Sequence, residues 1–406
     1  MTADDKNISD ISKSSKKNHE KASPVIFMSA AEASGDHHAA ELIRRLREKY
    51  PAAEFIGAAG PCMAAEGCEV IADLTHKASM LGGPVTGVFY YMKKVRQLCR
   101  AMTAVKPDIF VPVDSPALNW HLAKQARRCG VPVMYYVAPQ VWAWAPWRIK
   151  KVRRLTDHVA CLLPFEENYF RSRGVAATYV GHPLFDQLPP QHSADECPDF
   201  AIPWTSGEWK IAFLPGSRPS EIRLHAKMMS RIADGIRRTY PLARCKFTAV
   251  GLREADMIKK YSRRDDLDIA VARTPEVLAE SHYAVAASGT VTLEVAHFGV
   301  PMAVVYHIGL PERILYKLFI RHLIRTQYLS LVNIIAQKQL VPEFMPVGPD
   351  VKSITACVLD ALGDYGYLLE TRRAMLELTA GLCTANPRGA NANIADIIST
   401  ILERYS

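Results

Sequence analysis

The sequence contains no Gly-x-Gly-x-x-Gly and no Gly-x-x-x-x-Gly-Lys. Neither the dinucleotide fingerprint nor a P-loop is therefore available to hold a nucleotide. The nine cysteines are scattered, with no Cys-x-x-Cys and no cysteine–histidine metal spacing. That argues against a zinc site and a disulfide framework and fits a reducing cytoplasm. No apolar run is long enough to span a bilayer: the longest, His282 to Pro311, is interrupted by Ser288, Gly289, Glu294, Gly299 and Pro301. Acid is short relative to base. Against 50 Lys and Arg stand 41 Asp and Glu, for a formal net charge of +9. Such a chain calls for an anionic partner, whether nucleotide, phospholipid surface or nucleic acid. Residues 1–23, rich in Lys, Ser and Asn, lack the apolar core of a signal peptide, and a disordered tail is expected there.

What is present is a β-α alternation. Short Val/Ile-rich runs at Val25–Ala30, Ile109–Val113, Val131–Val137 and Val159–Leu163 are predicted strands. Amphipathic stretches at Asp36–Lys49, Pro116–Arg128 and Ala145–Arg154 are predicted helices. A break then carries Pro183, Pro189, Pro190, Pro198 and Pro203 without periodicity, which marks a linker. A second series follows, with strands at Lys210–Leu214, Arg244–Val250, Leu267–Val271, Tyr283–Ala287 and Val300–Val305, and a helix from Ser220 to Thr239. The expected class is α/β, with two Rossmann-like doubly wound domains facing a cleft and helices at the C-terminus. The expected boundaries are 1–23 tail, 24–185 first domain, 186–205 linker, 206–350 second domain and 351–406 helices, the last packing back on the first domain.

In such sheets, ligands bind beyond the carboxyl ends of the strands. Asp114, in "VDSPALN", is a carboxylate at the tip of a hydrophobic strand. Glu32, in "EASGD", occupies the corresponding place after the first strand, and Ser34 or Asp36 reads as the cap of the following helix. In "FLPGSRPSEI", Gly216 permits close backbone approach, Ser217 and Arg218 follow it, and the helix start offers N–H groups. That combination suits a diphosphate. "AASGTVTLE" supplies a second turn, with Ser288, Gly289 and Thr290 at a helix start and Glu294 one turn on, where it can accept from ribose hydroxyls. The Asp266-x-Asp268 pair precedes a strand and reads as a solvated turn; no metal or cofactor is expected. Two stretches, Phe89–Met102 and Arg313–Leu329, mix basic and large apolar residues at helical spacing and suit an anionic membrane surface, with nucleic acid not expected as a partner.

From about Pro24 onward the chain resembles lipid-A-disaccharide synthase. The stretches that carry the resemblance include "EASGD", "VDSPALN", "YYVAPQVWAW", "LPFEENYF", "LPGSR", "ASGTVTLE", "LVNIIA" and "LVPEF", in family order and across both domains. The resemblance implies a GT-B fold and inverting, metal-independent transfer from UDP-2,3-diacylglucosamine to 2,3-diacylglucosamine 1-phosphate. It implies work at the cytoplasmic face of the inner membrane, as a monomer or as a homodimer exchanging C-terminal segments. It adds Asn333 of "LVNIIA" to the donor residues, and it groups Ser34, Asn119 and Gln140 as residues that orient the acceptor, with Asp114 and Glu32 as the candidate bases. The sequence departs from the family at "SMLGGPVTGVFYY", which has no acid, at His307 in place of a lysine, and at Pro346 in place of a glutamine. Two other readings compete: a UDP-sugar 2-epimerase on the same architecture, and a non-catalytic nucleotide-sugar or lipid-binding relative.

Overall fold

Along β1 (Val25–Ser29) successive side chains alternate between two buried faces, Ile26 and Met28 to one core and Phe27 to the other. A strand buried on both faces is the mark of a parallel sheet sandwiched by helices. The computed structural model describes residues 23–75, 84–143, 145–191, 206–307, 326–344, 350–384 and 387–405. The expected tail, most of the expected linker (192–205), the second basic-aromatic stretch up to residue 325, and Pro346 lie outside them. The chain divides into two compact units: Met1–Asp186 together with Asn386–Ser406, and Gln187–Ala385.

The first unit follows β1 with α1 (Ala33–Lys49), β2 (Glu54–Ala58), α2 (Pro61–Ala65), β3 (Glu69–Ala72), α3 (Pro84–Val105), β4 (Ile109–Pro112), α4 (Pro116–Arg128) and β5 (Met134–Tyr136). Then come a 3-10 turn (Pro146–Arg148), α5 (Ile149–Leu155), β6 (His158–Cys161), α6 (Pro164–Arg171) and β7 (Ala177–Tyr179). The strands form parallel sheets in the orders β3-β2-β1-β4 and β5-β6-β7, and the bridges Phe110–Val133 and Val113–Tyr136 join β4 to β5. Helices α3, α4 and α5 cover the Phe27 and Phe110 face through Leu98, Leu122 and Val152. The other face is covered by α1 and by α14 (Ala390–Tyr405), through Leu42, Ile43 and Ile398. The Asp186 carboxylate accepts the Ala390 and Asn391 N–H groups at 3.0 and 3.3 Å, which starts α14 where it meets α1. Several predicted strands end a residue or two short, and two spans change further. Residues 141–143 form a turn, so the helix expected from Ala145 begins only at Pro146 as a 3-10 turn, and the Val131–Val137 strand contracts to three residues.

The second unit runs β8 (Lys210–Leu214), α7 (Pro219–Thr239), β9 (Arg244–Ala249), α8 (Leu252–Ser262), β10 (Asp268–Val271), α9 (Thr274–Ala279), β11 (Tyr283–Ala287), α10 (Val291–His297) and β12 (Met302–Val305). It ends with α11 (Leu331–Ala336), β13 (Glu343–Phe344), α12 (Val351–Leu362) and α13 (Tyr365–Thr384). Its single sheet has the order β10-β9-β8-β11-β12-β13, all parallel. Phe213 and Phe247 stack at 4.9 Å between ring centroids within its core. No helix among the described residues is long and apolar enough to cross a membrane.

Candidate active site

Each unit has one topological switch point. In the first, the chain leaves β1 through β2 and β3, then returns on the opposite side of β1 as β4. The loops after β1 and β4 therefore part company at one place on the carboxyl edge, where such sheets bind ligands. Glu32 lies in the first loop and Asp114 in the second. Gln140, exposed, follows β5, the next strand along the same edge.

Asp114 and Ser115 both have left-handed backbones, with φ of 47° and 42°. Two consecutive non-glycine residues in this region carry strain of roughly 1–3 kcal/mol each, which persists only where the surroundings over-determine it. Here they do. The Asp114 N–H donates to the Tyr136 carbonyl at 3.1 Å. Its own carbonyl accepts from the Tyr135 hydroxyl at 2.9 Å and from the Asn119 amide at 2.6 Å. Tyr135 is fully buried; burial, with the nearby Asp114 charge adding to it, pushes its phenol well above the ordinary range, so it stays a donor. Asn119 is also buried, and its amide oxygen accepts from the Ser29 hydroxyl. Asn119, expected to orient the acceptor, instead spends its amide nitrogen on the Val113 and Asp114 carbonyls.

Ser34 is exposed in the first turn of α1, and the expected cap moves. Glu32 is the N-cap, and the Asp36 carboxylate instead accepts the N–H groups of Gly60, Cys62 and Met63 at 2.8, 2.9 and 3.2 Å. It caps α2 across the unit, and a Cβ on Gly60 would lie 2.5 Å from it. The reason is burial: a carboxylate with 1% exposure needs several donors, and a helix start supplies them together.

In the second unit β8 lies between β9 and β11, so its switch point falls between the loops after β8 and β11. These carry Gly216, Ser217 and Arg218, and Ser288, Gly289 and Thr290. Gly216 has φ +108°, and a Cβ there would meet the Glu221 carboxylate at 2.4 Å. The N–H groups expected to be open at this helix start are not. Those of Ser217 and Arg218 donate to Glu221 Oε2 at 3.1 and 3.2 Å, because an acid three residues into a helix folds back on its own cap. In the neighbouring loop the Ser288 hydroxyl donates to the Leu329 carbonyl, and the side of Gly289 where a Cβ would stand is open. Glu294 is half-buried, with no hydrogen bond to its carboxylate among the described residues. Burial pushes its carboxyl up to about 7. A partly buried carboxylate without a hydrogen-bond partner is unusual for a purely structural group, which makes Glu294 a candidate.

Asn333 does not present its side chain to a ligand. It is fully buried; its amide nitrogen donates to the Val341 carbonyl and Glu343, and its oxygen accepts from the Leu340 and Val341 N–H groups. Glu343 also accepts from the Leu329 and Ser330 N–H groups. Asn333 thus ties α11 to the segment that leads into β13. His225 Nδ1 donates to the Pro215 carbonyl and Nε2 accepts from the His307 N–H, which ties the loops after β8 and β12. The Asp266 carboxylate pairs with Arg264 at 2.6 Å through both oxygens, as a solvated turn would. Composition and spacing do not reveal what Glu221, His225 or Glu343 hold, and they make Asp36 a cap of its own helix rather than of α2. Only Glu221 had a local signal, the acid at the third helical position.

A family described as lipid-A-disaccharide synthetase matches residues 26–363. Over 334 residues the chain is 35% identical to a lipid-A-disaccharide synthase of Myxococcus xanthus, covering 79% of this chain and 84% of that one. Among solved structures it is similar to a putative UDP-N-acetylglucosamine 2-epimerase from Listeria monocytogenes, with TM-score 0.56 and 12% identity over 95% of this chain and 97% of that one. It is similarly close to the calicheamicin glycosyltransferase CalG4, with TM-score 0.56 and 15% identity over 94% and 99%. At these identities the two structures establish the GT-B fold alone, since transferases and epimerases share it.

Proposed function

The chain belongs to the lipid-A-disaccharide synthetase family, and from that premise we propose how its residues carry out the family's hexosyl transfer. The donor is UDP-2,3-diacylglucosamine and the acceptor 2,3-diacylglucosamine 1-phosphate. The acceptor 6-hydroxyl oxygen attacks the anomeric carbon and the bond to the diphosphate oxygen breaks. The configuration inverts to β(1→6), and UDP leaves with the bonding electrons. The hydroxyl proton goes to the Asp114 carboxylate, and general-base assistance of this kind contributes about 10²–10⁴-fold. In the second unit, Arg218 and the 216–218 loop meet the diphosphate, Ser288–Thr290 supply further donors, and Glu294 takes the ribose hydroxyls.

The observation that carries the assignment is the strained, over-determined backbone of Asp114 at a switch point. Three hydrogen-bonding groups hold a conformation that no helix cap requires, since Ser115 and not Asp114 is the N-cap of α4. The test is to incubate the purified protein with both acylated substrates and follow UDP and disaccharide. UDP released with a 2-epimerised sugar and no disaccharide refutes the transferase assignment.

We further propose peripheral attachment at the cytoplasmic face of the inner membrane through α3. Phe89 is 74% exposed there, and Lys93, Arg96 and Arg100 face solvent on the same helix. An exposed aromatic with basic neighbours suits an anionic interface.

A further inference from the structure

The two helical layers of the first unit differ in charge. On one face of the sheet, α1 carries Asp36, Glu41 and Glu48 among its basic residues, and α14 carries Asp396 and Glu403. On the other, α3, α4, the 3-10 turn and α5 contain no Asp or Glu, while each of the three helices bears several Lys or Arg and the turn bears Arg148. Amphipathic surface helices ordinarily mix signs, because mixing limits self-repulsion. A layer that omits acids from four successive elements concentrates positive potential on one side of the sheet.

The potential has a focus. Between the C-terminal end of α4 and α5 lies a concavity of about 440 Å³ lined by Lys124, Arg127, Arg128, Arg154 and Leu155. Arg127 is committed: it donates to the Asp157 carboxylate at 2.7 Å and to the Arg154 carbonyl at 3.3 Å, which fixes α4 to the end of α5. Asp157 in turn also accepts the Val133 N–H. Lys124, Arg128 and Arg154 are exposed, and no carboxylate pairs with them among the described residues. The adjacent Lys151 ammonium stands 4.8 Å over the Trp120 ring and is held below the ordinary lysine range by burial and by the charges of Arg148, Arg154 and Lys124. That repulsion is the expected property of a site built for an anion the chain itself does not supply.

We propose that this concavity binds the phosphate of an anionic phospholipid and seats the α4–α5 side of the layer on the membrane. Two observations favour lipid over nucleic acid. Trp147, on the 3-10 turn leading into α5, is 57% exposed, and tryptophan beside basic residues suits the headgroup level of a bilayer. The same helical layer continues into α3 with its exposed Phe89, and Gln125 of α4 donates to Thr103 of α3 at 2.9 Å, so the two basic helices share one surface. The site lies at the C-terminal end of α4, away from Asp114 at its N-terminal side, and it stands whether or not α3 itself touches lipid.

The test uses the full chain and co-sedimentation with phosphatidylcholine vesicles with and without phosphatidylglycerol. In the triple variant Lys124→Gln, Arg128→Gln, Arg154→Gln, Arg127 is kept because it holds α4 to α5. Each basic residue near an anionic leaflet is worth roughly a fivefold change in partitioning, so binding to the phosphatidylglycerol vesicles should fall about 10²-fold. Turnover of detergent-dispersed substrates should be unchanged, which shows that the variant folds. The charge-preserving set Lys124→Arg, Arg128→Lys, Arg154→Lys should retain binding. Wild-type vesicle binding by the glutamine variant overturns the proposal. So does release of the wild type from vesicles by inorganic phosphate at constant ionic strength, which assigns the site to free phosphate. Loss of oligonucleotide binding with vesicle binding intact overturns it as well.

Discussion

Arg218 and Glu221 are joined twice: the Arg218 N–H donates to Glu221 Oε2 at 3.2 Å, and its guanidinium reaches Glu221 Oε1 at 3.4 Å. Glu221 therefore sits on the donors that the proposed diphosphate would take, and on that proposal donor binding displaces it. Arg218→Ala removes the cation that holds the incoming charge. Loss of a charge-assisted contact of this type costs about 1.5–3 kcal/mol, so the donor KM should rise at least tenfold and turnover should fall. The fold should survive, because an ion pair this exposed contributes about 0–1 kcal/mol. Steady-state kinetics with varied donor checks this, and unchanged kinetics would remove Arg218 from the site.

Glu294 gives a pH signature. Its carboxyl, raised to about 7 by burial, is favoured in ionised form when ribose hydroxyls donate to it. UDP should then bind more tightly as pH rises from about 6 to about 8, with proton release near neutrality. UDP's own phosphate titrates nearby, so Glu294→Gln is the control: it should weaken UDP and lose the excess proton release, measured by titration calorimetry in buffers of different ionisation enthalpy. Stability runs the other way. The folded value lies above the unfolded one, so the group's contribution is intact at low pH and is lost as pH rises through 7. Glu294→Gln should therefore raise Tm at pH 8 and leave it unchanged near pH 4.

The contrast between Glu294 and Glu343 explains how much of this was legible in sequence. Asp114 betrays itself as an acid at the tip of an apolar strand, and Glu294 only through its place one turn beyond a Ser-Gly-Thr helix start. The sheet order then adds what no short motif contains, namely that the loops of β8 and β11, and of β1 and β4, are neighbours. What Glu343, Asp36 and Asn333 hold stayed hidden because their partners are largely backbone groups elsewhere in the chain. Capping across a fold depends on tertiary placement, and composition and spacing do not encode it. The β-α alternation, by contrast, was readable because strands such as Tyr283–Ala287 are buried at every position.

Buried neutral histidines set the acid limit of the first unit. His182 is lowered to about 3 and His38 to about 4, both mainly by burial. Folded values below the unfolded value of about 6.5 mean that the stability is fully present above that pH and is lost as pH falls below it. Tm should be flat above pH 7 and decline between about 6.5 and 4. His182 Nδ1 accepts the Leu184 N–H at 3.2 Å, an acceptor role that asparagine can reproduce. His182→Asn should therefore flatten the decline by on the order of 3 kcal/mol at pH 4. Thermal melts across this range decide it, and an unaltered slope would show that His182 does not titrate on unfolding.

The decisive substitution is Asp114→Asn. Its backbone lies at φ 47°, a region asparagine tolerates at least as well as aspartate, so the strained turn should persist. The groups that hold the turn, the Tyr135 hydroxyl, the Asn119 amide and the Tyr136 carbonyl, all contact the Asp114 backbone and not its carboxylate. The change therefore removes basicity while leaving position intact. If the carboxylate takes the acceptor proton, turnover should fall by at least about 10²-fold with the donor KM nearly unchanged. A carboxylate that served only the backbone turn would predict near-normal turnover, because these three backbone contacts remain. Glu32→Gln separates the two candidate bases. It follows β1 at the same switch point, exposed as the N-cap of α1 with no side-chain capping bond. A loss confined to Asp114→Asn assigns the proton transfer to Asp114. A loss confined to Glu32→Gln moves it across the switch point, one strand over.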